Sequence, residues 1–409
     1  MISFLKKTEK YPKALQIANR LKEKGHQVVF AGGCVRDAFL KREIKDIDIA
    51  TSAEPQEIVQ IFKKTVSIGA QFGVIMVIQE GEAFEVATFR KDGQYQDGRR
   101  PESVSFTEMK EDAARRDFTI NGLFFDPFSE KIIDYTNGIH DIRKKVIRCI
   151  GNPFERFEED KLRILRAVRF SAKLKFKIEK KTLEAMKFMA PKIVSVSRER
   201  IREEIFKLFE SSKIKKYLKL IYQSGLWDIV FPFSYQKKNI RFADKISNTI
   251  LPEIRFTALF WQESPEKIKE ICLSFKFSNK QSEIIFRLKT LLDHYKHLSS
   301  MRLSELKRIF MTENFDQFLD FLKQFQKSFY PGRKNILKKL KKIYEKEKNT
   351  LNLEKLINGE DLIELGLSPS PVFKKLLYEI ENLQLEHELN NREDALRWLK
   401  KELLKYEIN

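Results

Sequence analysis

Phe30-Ala31-Gly32-Gly33-Cys34-Val35-Arg36-Asp37 is followed at short range by Asp46-Ile47-Asp48-Ile49-Ala50-Thr51. The first segment comes after a strand-like run, Gln27-Val28-Val29-Phe30, and leads into a short predicted helix over residues 35–41. Two glycines at such a turn let backbone N–H groups approach an anion, and a helix N-terminus adds favourable partial charge. Arg36 offers a forked, fully ionised donor to phosphate. In the second segment, strand geometry puts Asp46 and Asp48 on one face and sends Ile47 and Ile49 to the core. Two adjacent carboxylates repel unless a cation lies between them, and hard oxygen ligands of this kind suit magnesium. Alone, Asp-x-Asp also reads as an exposed strand end with two solvated acids. Behind a Gly-Gly-x-Val-Arg-Asp turn it reads as a triphosphate site, with Gly33 and Arg36 on the phosphates and Asp46 and Asp48 on metal.

Composition narrows the partners. The chain has 409 residues, 42% of them hydrophobic, enough for roughly two to four domains with their own cores. It carries 78 Lys and Arg against 58 Asp and Glu, a formal charge of +20, which points to a polyanion such as nucleic acid. Three scattered cysteines, Cys34, Cys149 and Cys272, give neither a disulfide framework nor zinc spacing and fit a reducing cytoplasm. Cys34 has no neighbouring base and reads as a packing residue. No stretch approaches the roughly 20 apolar residues of a membrane span. Residues 1–7 lack an apolar core of signal-peptide length, so a cytoplasmic protein without a membrane partner is expected. Walker A and His-Glu-x-x-His motifs are missing, and the five histidines form no metal pattern.

The opening motifs resemble the nucleotidyltransferases of the DNA polymerase beta superfamily. They are most similar to the class II tRNA nucleotidyltransferases (CCA-adding enzymes) and the related bacterial poly(A) polymerases. The resemblance implies an α+β fold: a nucleotidyltransferase head with a mixed or antiparallel sheet and helices, then an all-helical neck, body and tail. The expected boundaries are 1–150 for the head, 151–215 for the neck, 216–345 for the body and 346–409 for the tail. It also implies the reaction, template-independent addition of C, C and A to a tRNA 3′ end from CTP and ATP, with Mg2+ and release of pyrophosphate. The alternatives are a poly(A) polymerase, an enzyme adding only CC or only A, and a tRNA-binding module without catalysis. The intact Asp-x-Asp speaks against the last.

The remaining motifs follow in order. A helix is expected over residues 1–25, stopped by Gly25, and another over residues 55–63. Two strand candidates, residues 73–78 and 84–89, join through Gly81 as a hairpin, and Glu85 is a candidate third acid. Residues 91–101 read as a polar loop whose Arg99-Arg100-Pro101 resembles the loop of family members that add the terminal adenosine. Arg115-Arg116-Asp117-Phe118-Thr119-Ile120-Asn121 matches the family's second nucleotide motif, RRDxxxN. Two arginines at the end of the preceding helix also suit its C-terminal dipole. The resemblance puts Arg116 on the triphosphate and Asn121 on sugar or phosphate.

From Pro153 the composition turns helical. Residues 159–170 read as one helix with Asp160 and Arg163 three apart on one face. An ionised Asp only accepts hydrogen bonds and an Arg only donates them. Cytosine and adenine both offer an amino donor beside a ring-nitrogen acceptor, whereas uracil and guanine offer a carbonyl beside a ring N–H. One fixed Asp/Arg pair therefore satisfies C and A and opposes U and G, at roughly 1–3 kcal/mol per unsatisfied buried group. Glu159-Asp160-x-x-Arg163 matches the family's base-recognition motif, and the resemblance gives Arg166 and Arg169 contacts to nucleotide or RNA phosphate. Residues 197–205 resemble the next helical motif, with Ser197 as N-cap and Arg198, Arg202 and Glu203 as scaffolding. The last segment resembles the family's tail, although Ser370-Pro371 stands where a Gly-Pro is usual. The basic helical half is expected to hold the acceptor arm and elbow of tRNA through backbone contacts and shape.

Overall fold

In a computed structural model the chain is described over residues 2–67, 70–93, 103–332, 335–351 and 354–403. Most of the 91–101 loop, including Arg99-Arg100-Pro101, lies outside the described residues. The chain divides into two compact units, Met1–Tyr235 and Gln236–Asn409.

The head strands of the first unit are β1 (Val28–Ala31), β2 (Asp48–Thr51), β3 (Thr65–Val66), β4 (Val74–Gln79), β5 (Glu82–Thr88), β6 (Arg90–Asp92), β7 (Val104–Phe106), β8 (Leu123–Asp126) and β9 (Lys131–Asp134). Seven form one sheet in the order β3-β4-β5-β2-β1-β8-β9. The β2–β5 pair is parallel and the other pairs are antiparallel, so the sheet is mixed. Strands β6 and β7 form a separate ribbon. The β4–β5 hairpin turns through Glu80 and Gly81, both at positive φ, which matches the twist of the strands it joins.

Alternation along β1 decides what covers each face. Val29 and Ala31 share one face with Ala50, Phe89, Phe124 and Ala113. Phe30 points the other way, against Phe125 and, edge to face at 5.8 Å, Tyr11. Head helices are α1 (Ile2–Lys6), α2 (Lys10–Glu23), α3 (Gly33–Phe39), α4 (Pro55–Ile61), α5 (Met109–Ala114) and α6 (Gly138–Lys144). The single N-terminal helix expected from sequence is two, α1 and α2. In α2, Tyr11, Ala14, Ile17, Ala18 and Leu21 form the buried stripe that Phe30 meets. It ends in a Schellman turn: Gly25 N–H bonds Lys22 O, His26 N–H bonds Leu21 O, and Gly25 takes φ 87°.

The helical layer of this unit comprises α7 (Pro153–Glu159), α8 (Arg163–Leu174), α9 (Lys180–Met189), α10 (Arg198–Phe209), α11 (Lys215–Gln223) and α12 (Trp227–Val230). One two-residue strand interrupts it: Lys177–Ile178 pairs parallel with Val146–Ile147. Ile164, Leu165, Val168 and Leu174 of α8 and Ile201, Ile205 and Leu208 of α10 are buried, and these two helices pack together.

The second unit is helical throughout its described residues. Phe242 meets Phe321 and Phe329 edge to face, and Trp261 meets Phe325 at 4.8 Å. A smaller core gathers Ile357, Leu362, Leu376, Ile380, Ala395 and Leu399. Among the described residues no helix is long and apolar enough to cross a membrane.

Candidate active site

Strand β1 ends at Ala31 and the chain turns at Gly32, whose N–H donates to Leu123 O at 2.9 Å. Gly32 takes φ 69°, and a Cβ there would sit 2.9 Å from Arg116 Nη1. Backbone conformation and the neighbouring guanidinium therefore both require glycine. Helix α3 starts at Gly33, earlier than the sequence suggests. Arg36, expected to reach phosphate, is 3% exposed and already engaged. Its Nε and Nη2 bond the two Asp37 oxygens at 2.8 and 2.9 Å, and its Nη1 bonds Asn121 Oδ1.

Asp48 is the first residue of β2, opposite Ala31, on the face that also carries Ala50 and Phe124. The parallel register pairs Ile49 with Val86, which brings Glu85 of β5 alongside Asp48. Loss of solvent around the carboxylate, and then the Glu85 and Asp46 charges, push the Asp48 carboxyl up to about 6, against the pull of Arg116. Asp46 does not share the strand. Pairing with β1 stops where the chain turns at Gly32, so nothing extends β2 back to residue 46. Asp46 instead accepts from Lys10 Nζ at 2.7 Å and is three-quarters exposed, at 76% of its side chain. Among the described residues no three His, Cys, Asp or Glu side chains converge on one point. Asp48, with the Glu85 charge beside it, is the carboxylate that the site offers a cation, and one or two carboxylates completed by substrate phosphate oxygens are an ordinary arrangement for magnesium.

In the RRDxxxN segment the arginines do more than cap a dipole. Arg115 and Arg116 reach back to opposite oxygens of buried Asp112 at 2.7 and 3.0 Å. Burial pushes Asp112 up, but Arg116 and Arg115 together hold it below its ordinary value. Asp117, 9% exposed, accepts from Phe118 N–H and Asn121 Nδ2 on one oxygen and from Arg166 on the other. Burial alone would raise it; the Arg166 charge and these hydrogen bonds bring it to about 2.

The helix expected over residues 159–170 is broken at Asp160. Helix α7 ends at Glu159, Asp160 is extended (φ −140°, ψ 103°), and α8 begins at Arg163. Asp160 Oδ1 accepts from Leu162 N–H at 3.0 Å, the local side-chain-to-backbone bond that makes Asp a helix breaker and starter. Asp160 and Arg163, expected on one helical face, are each held by a different partner. Asp160 Oδ2 takes Arg200 Nη2 at 2.8 Å, and Arg163 Nη1 bonds Glu159 Oε2 at 2.5 Å. Arg169 turns to Glu204 on α10 and lies over the Phe170 ring at 4.1 Å. Arg36 and Arg166 approach the same ring, at 5.2 and 5.4 Å.

One cleft of about 440 Å³ joins these parts. From the head it is lined by Gly33, Arg36, Asp48, Arg116 and Asn121; from the helical layer by Asp160, Arg163 and Arg166. Asp46 and Arg169 do not line it. Two residues that sequence reasoning passed over stand out. Arg200 lines the cleft beside Asp160. Arg156 bonds Glu159 and the carbonyls of Arg115 and Arg116, tying α7 to the end of α5. Arg200 stands three after the cap residue Ser197, where a Glu or Gln would complete a capping box, and its position there gives no sign of the cleft. Arg156 carried no signal beyond its charge.

Three family models match the chain. "Poly A polymerase head domain" covers residues 28–148, "Probable RNA and SrmB- binding site of polymerase A" covers 175–236, and tRNA nucleotidyltransferase domain 2 covers 253–399. A CCA-adding enzyme of Anoxybacillus flavithermus is 32% identical over 95% of this chain and 96% of its own length. One from Bacillus velezensis is 45% identical over 53% of this chain and 55% of its own length. The crystal structure of the Bacillus stearothermophilus CCA-adding enzyme in complex with CTP superimposes with a TM-score of 0.78 at 29% identity, covering 98% of this chain and 100% of that one.

Proposed function

This chain belongs to the family of CCA-adding enzymes, and we propose that it builds the C, C and A of a tRNA 3′ end from CTP and ATP without a nucleic-acid template. The observation that carries this is the single cleft in which Asp48 faces the base-reading candidates Asp160 and Arg163. The RNA 3′-hydroxyl attacks the α-phosphate and pyrophosphate leaves. Gly32 and Gly33 present the turn against which a triphosphate packs, and Arg116 supplies charge beside it. Asn121, Asp117 and Arg36 form the frame beneath. Arg166 spans from α8 to that frame, so nucleotide contact and bracing fall on the same guanidinium. Asp160 accepts from the exocyclic amino group of C or A, and Arg163 donates to the adjacent ring nitrogen.

Nucleotidyltransferases of this family are metal-dependent. We assign the ion as Mg2+, with Asp48 and Asp46 as its holders and Glu85 as a neighbouring acid. When bound, it lowers the barrier by activating the attacking hydroxyl and balancing charge on the phosphate oxygens. We assign residues 1–150 as head, 151–215 as neck, 216–345 as body and 346–409 as tail, the basic helical half gripping the tRNA backbone in the cytoplasm.

The test is incubation with labelled CTP or ATP and tRNAs ending before the first C, after CC and after CCA. C should enter the first, A the second and nothing the third. Continued A addition to the third points to poly(A) polymerase; C entry into the first with no A entry into the second points to a CC-only enzyme.

A further inference from the structure

We propose that Arg200 is a positioning residue for base choice: its bond to Asp160 keeps that carboxylate from closing onto Arg163. The proposal rests on the reading of Asp160 and Arg163 as the base-reading pair. Opposite charges this close along the chain attract each other unless other partners hold them apart. An Asp and an Arg bonded to one another have turned their acceptor and donor away from any base. Here each is held by a different group. Arg200 takes Asp160 Oδ2 at 2.8 Å while the Leu162 N–H takes Oδ1 at 3.0 Å. Glu159 and the Arg156 carbonyl take Arg163 Nη1 at 2.5 and 2.9 Å.

The geometry is firm for three reasons. Arg200 and Asp160 are only 18% and 14% exposed, so solvent screens their attraction far less than a surface pair. Arg200 comes from a separate helix, α10, whose Ile201, Ile205 and Leu208 are buried, so the core sets where its guanidinium stands. The start of that helix is pinned as well, because Arg198 Nη1 donates to the carbonyls of Ile229 and Val230 at 2.9 and 3.3 Å. Each Asp160 oxygen keeps a second lone pair, so the carboxylate still accepts the amino group of C or A.

The experiment compares R200A, R200Q, R200K, D160A and the R200A/D160A double variant. Full-length protein is assayed with CTP, ATP, UTP and GTP on tRNA lacking its terminal residues, together with thermal midpoint and tRNA affinity. R200A and R200Q should lose about ten- to a hundredfold in kcat/KM for CTP and ATP. The preference for CTP over UTP should shrink about tenfold, with tRNA affinity unchanged. R200K, which keeps the charge, should recover part of the preference. The double variant should select nucleotides no worse than D160A, because Arg200 acts through Asp160. An equal loss for all four nucleotides overturns the proposal, as does a double variant whose losses multiply. If D160A itself leaves nucleotide choice intact, the base-reading pair falls and this proposal with it. If D160A relaxes choice but R200Q does not, the positioning role alone falls. R200Q retains the length of the side chain, so the test stands even if R200A folds poorly.

Discussion

Arg166 of α8 places Nη2 and Nε on a single oxygen of Asp117, at 2.6 and 2.9 Å. The other Asp117 oxygen accepts from Asn121, and Asn121 in turn accepts from Arg36. One buried hydrogen-bonded chain thus links α3, the RRDxxxN turn and α8. The glycine-turn motif and the second nucleotide motif, separate in sequence, are parts of one object, and the helical layer holds it from the far side.

Asp117→Asn should therefore destabilise the first unit by about 2 kcal/mol, because it takes the charge-assisted acceptor from Arg166, which is a third exposed and keeps Glu204 at 3.8 Å. The pH dependence has a definite sign. Asp117 is held at about 2, below its unfolded value of 3.8. Its stabilisation is complete above pH about 4 and is lost as pH falls toward 2. Urea midpoints should show the largest gap between the natural protein and D117N at neutral pH, narrowing between pH 4 and 2. Equal midpoints at pH 7 would show that the Asp117–Arg166 pair does not stabilise the fold.

Arg163→Ala should relax the rejection of UTP. Without its guanidinium the cleft no longer opposes the uracil ring N–H, and about tenfold or more of the CTP-to-UTP preference should disappear. The ratio of kcat/KM values is the readout, because Arg163 also holds Glu159 and overall activity will fall for that reason too. An unchanged ratio would refute the base-reading role.

Sequence showed the parts of this site better than their connections. Gly-Gly-x-Val-Arg-Asp, Asp-x-Asp, RRDxxxN and Glu-Asp-x-x-Arg each carry a local pattern, and hydrophobic alternation around β1 and β4–β5 located the sheet. Pairing partners are non-local and were invisible. Nothing near Asp160 in sequence announces Arg200, and nothing near Arg169 announces Glu204. The helical spacing of Leu162, Leu165 and Val168 starts only after Asp160, so it marks α8 and carries no sign of the break before it. The expected shared face of Asp46 and Asp48 failed for a related reason. A strand extends only as far as its neighbour, and the turn at Gly32 ends β1 opposite Asp48.

Gly32→Ala should impair nucleotide binding more than folding. The positive φ adds roughly 1–3 kcal/mol of strain to any residue with a side chain. The new methyl also displaces the Arg116 guanidinium 2.9 Å away. KM for CTP and ATP should rise about tenfold while tRNA affinity holds. A variant with unaltered KM would show that Arg116 does not depend on this turn.

Asp48 sets the last expectation, which concerns the ion. Loss of solvent and the Glu85 charge make its ionised form unfavourable, so it is poised to gain from a cation. Mg2+ without nucleotide should raise the thermal midpoint of the natural protein, and Asp48→Asn should abolish that response. The same change removes a repelled charge, so metal-free D48N should be no less stable than the natural chain. Nucleotide incorporation should fall at least about a thousandfold, as loss of several kcal/mol of transition-state stabilisation requires. Asp46 has a present partner in Lys10, and an ion must compete with that ammonium for its carboxylate. Lys10→Ala should therefore tighten Mg2+ binding, measured by the midpoint of the same thermal response against ion concentration. A weaker or unchanged midpoint would mean that Asp46 takes no part in holding the ion.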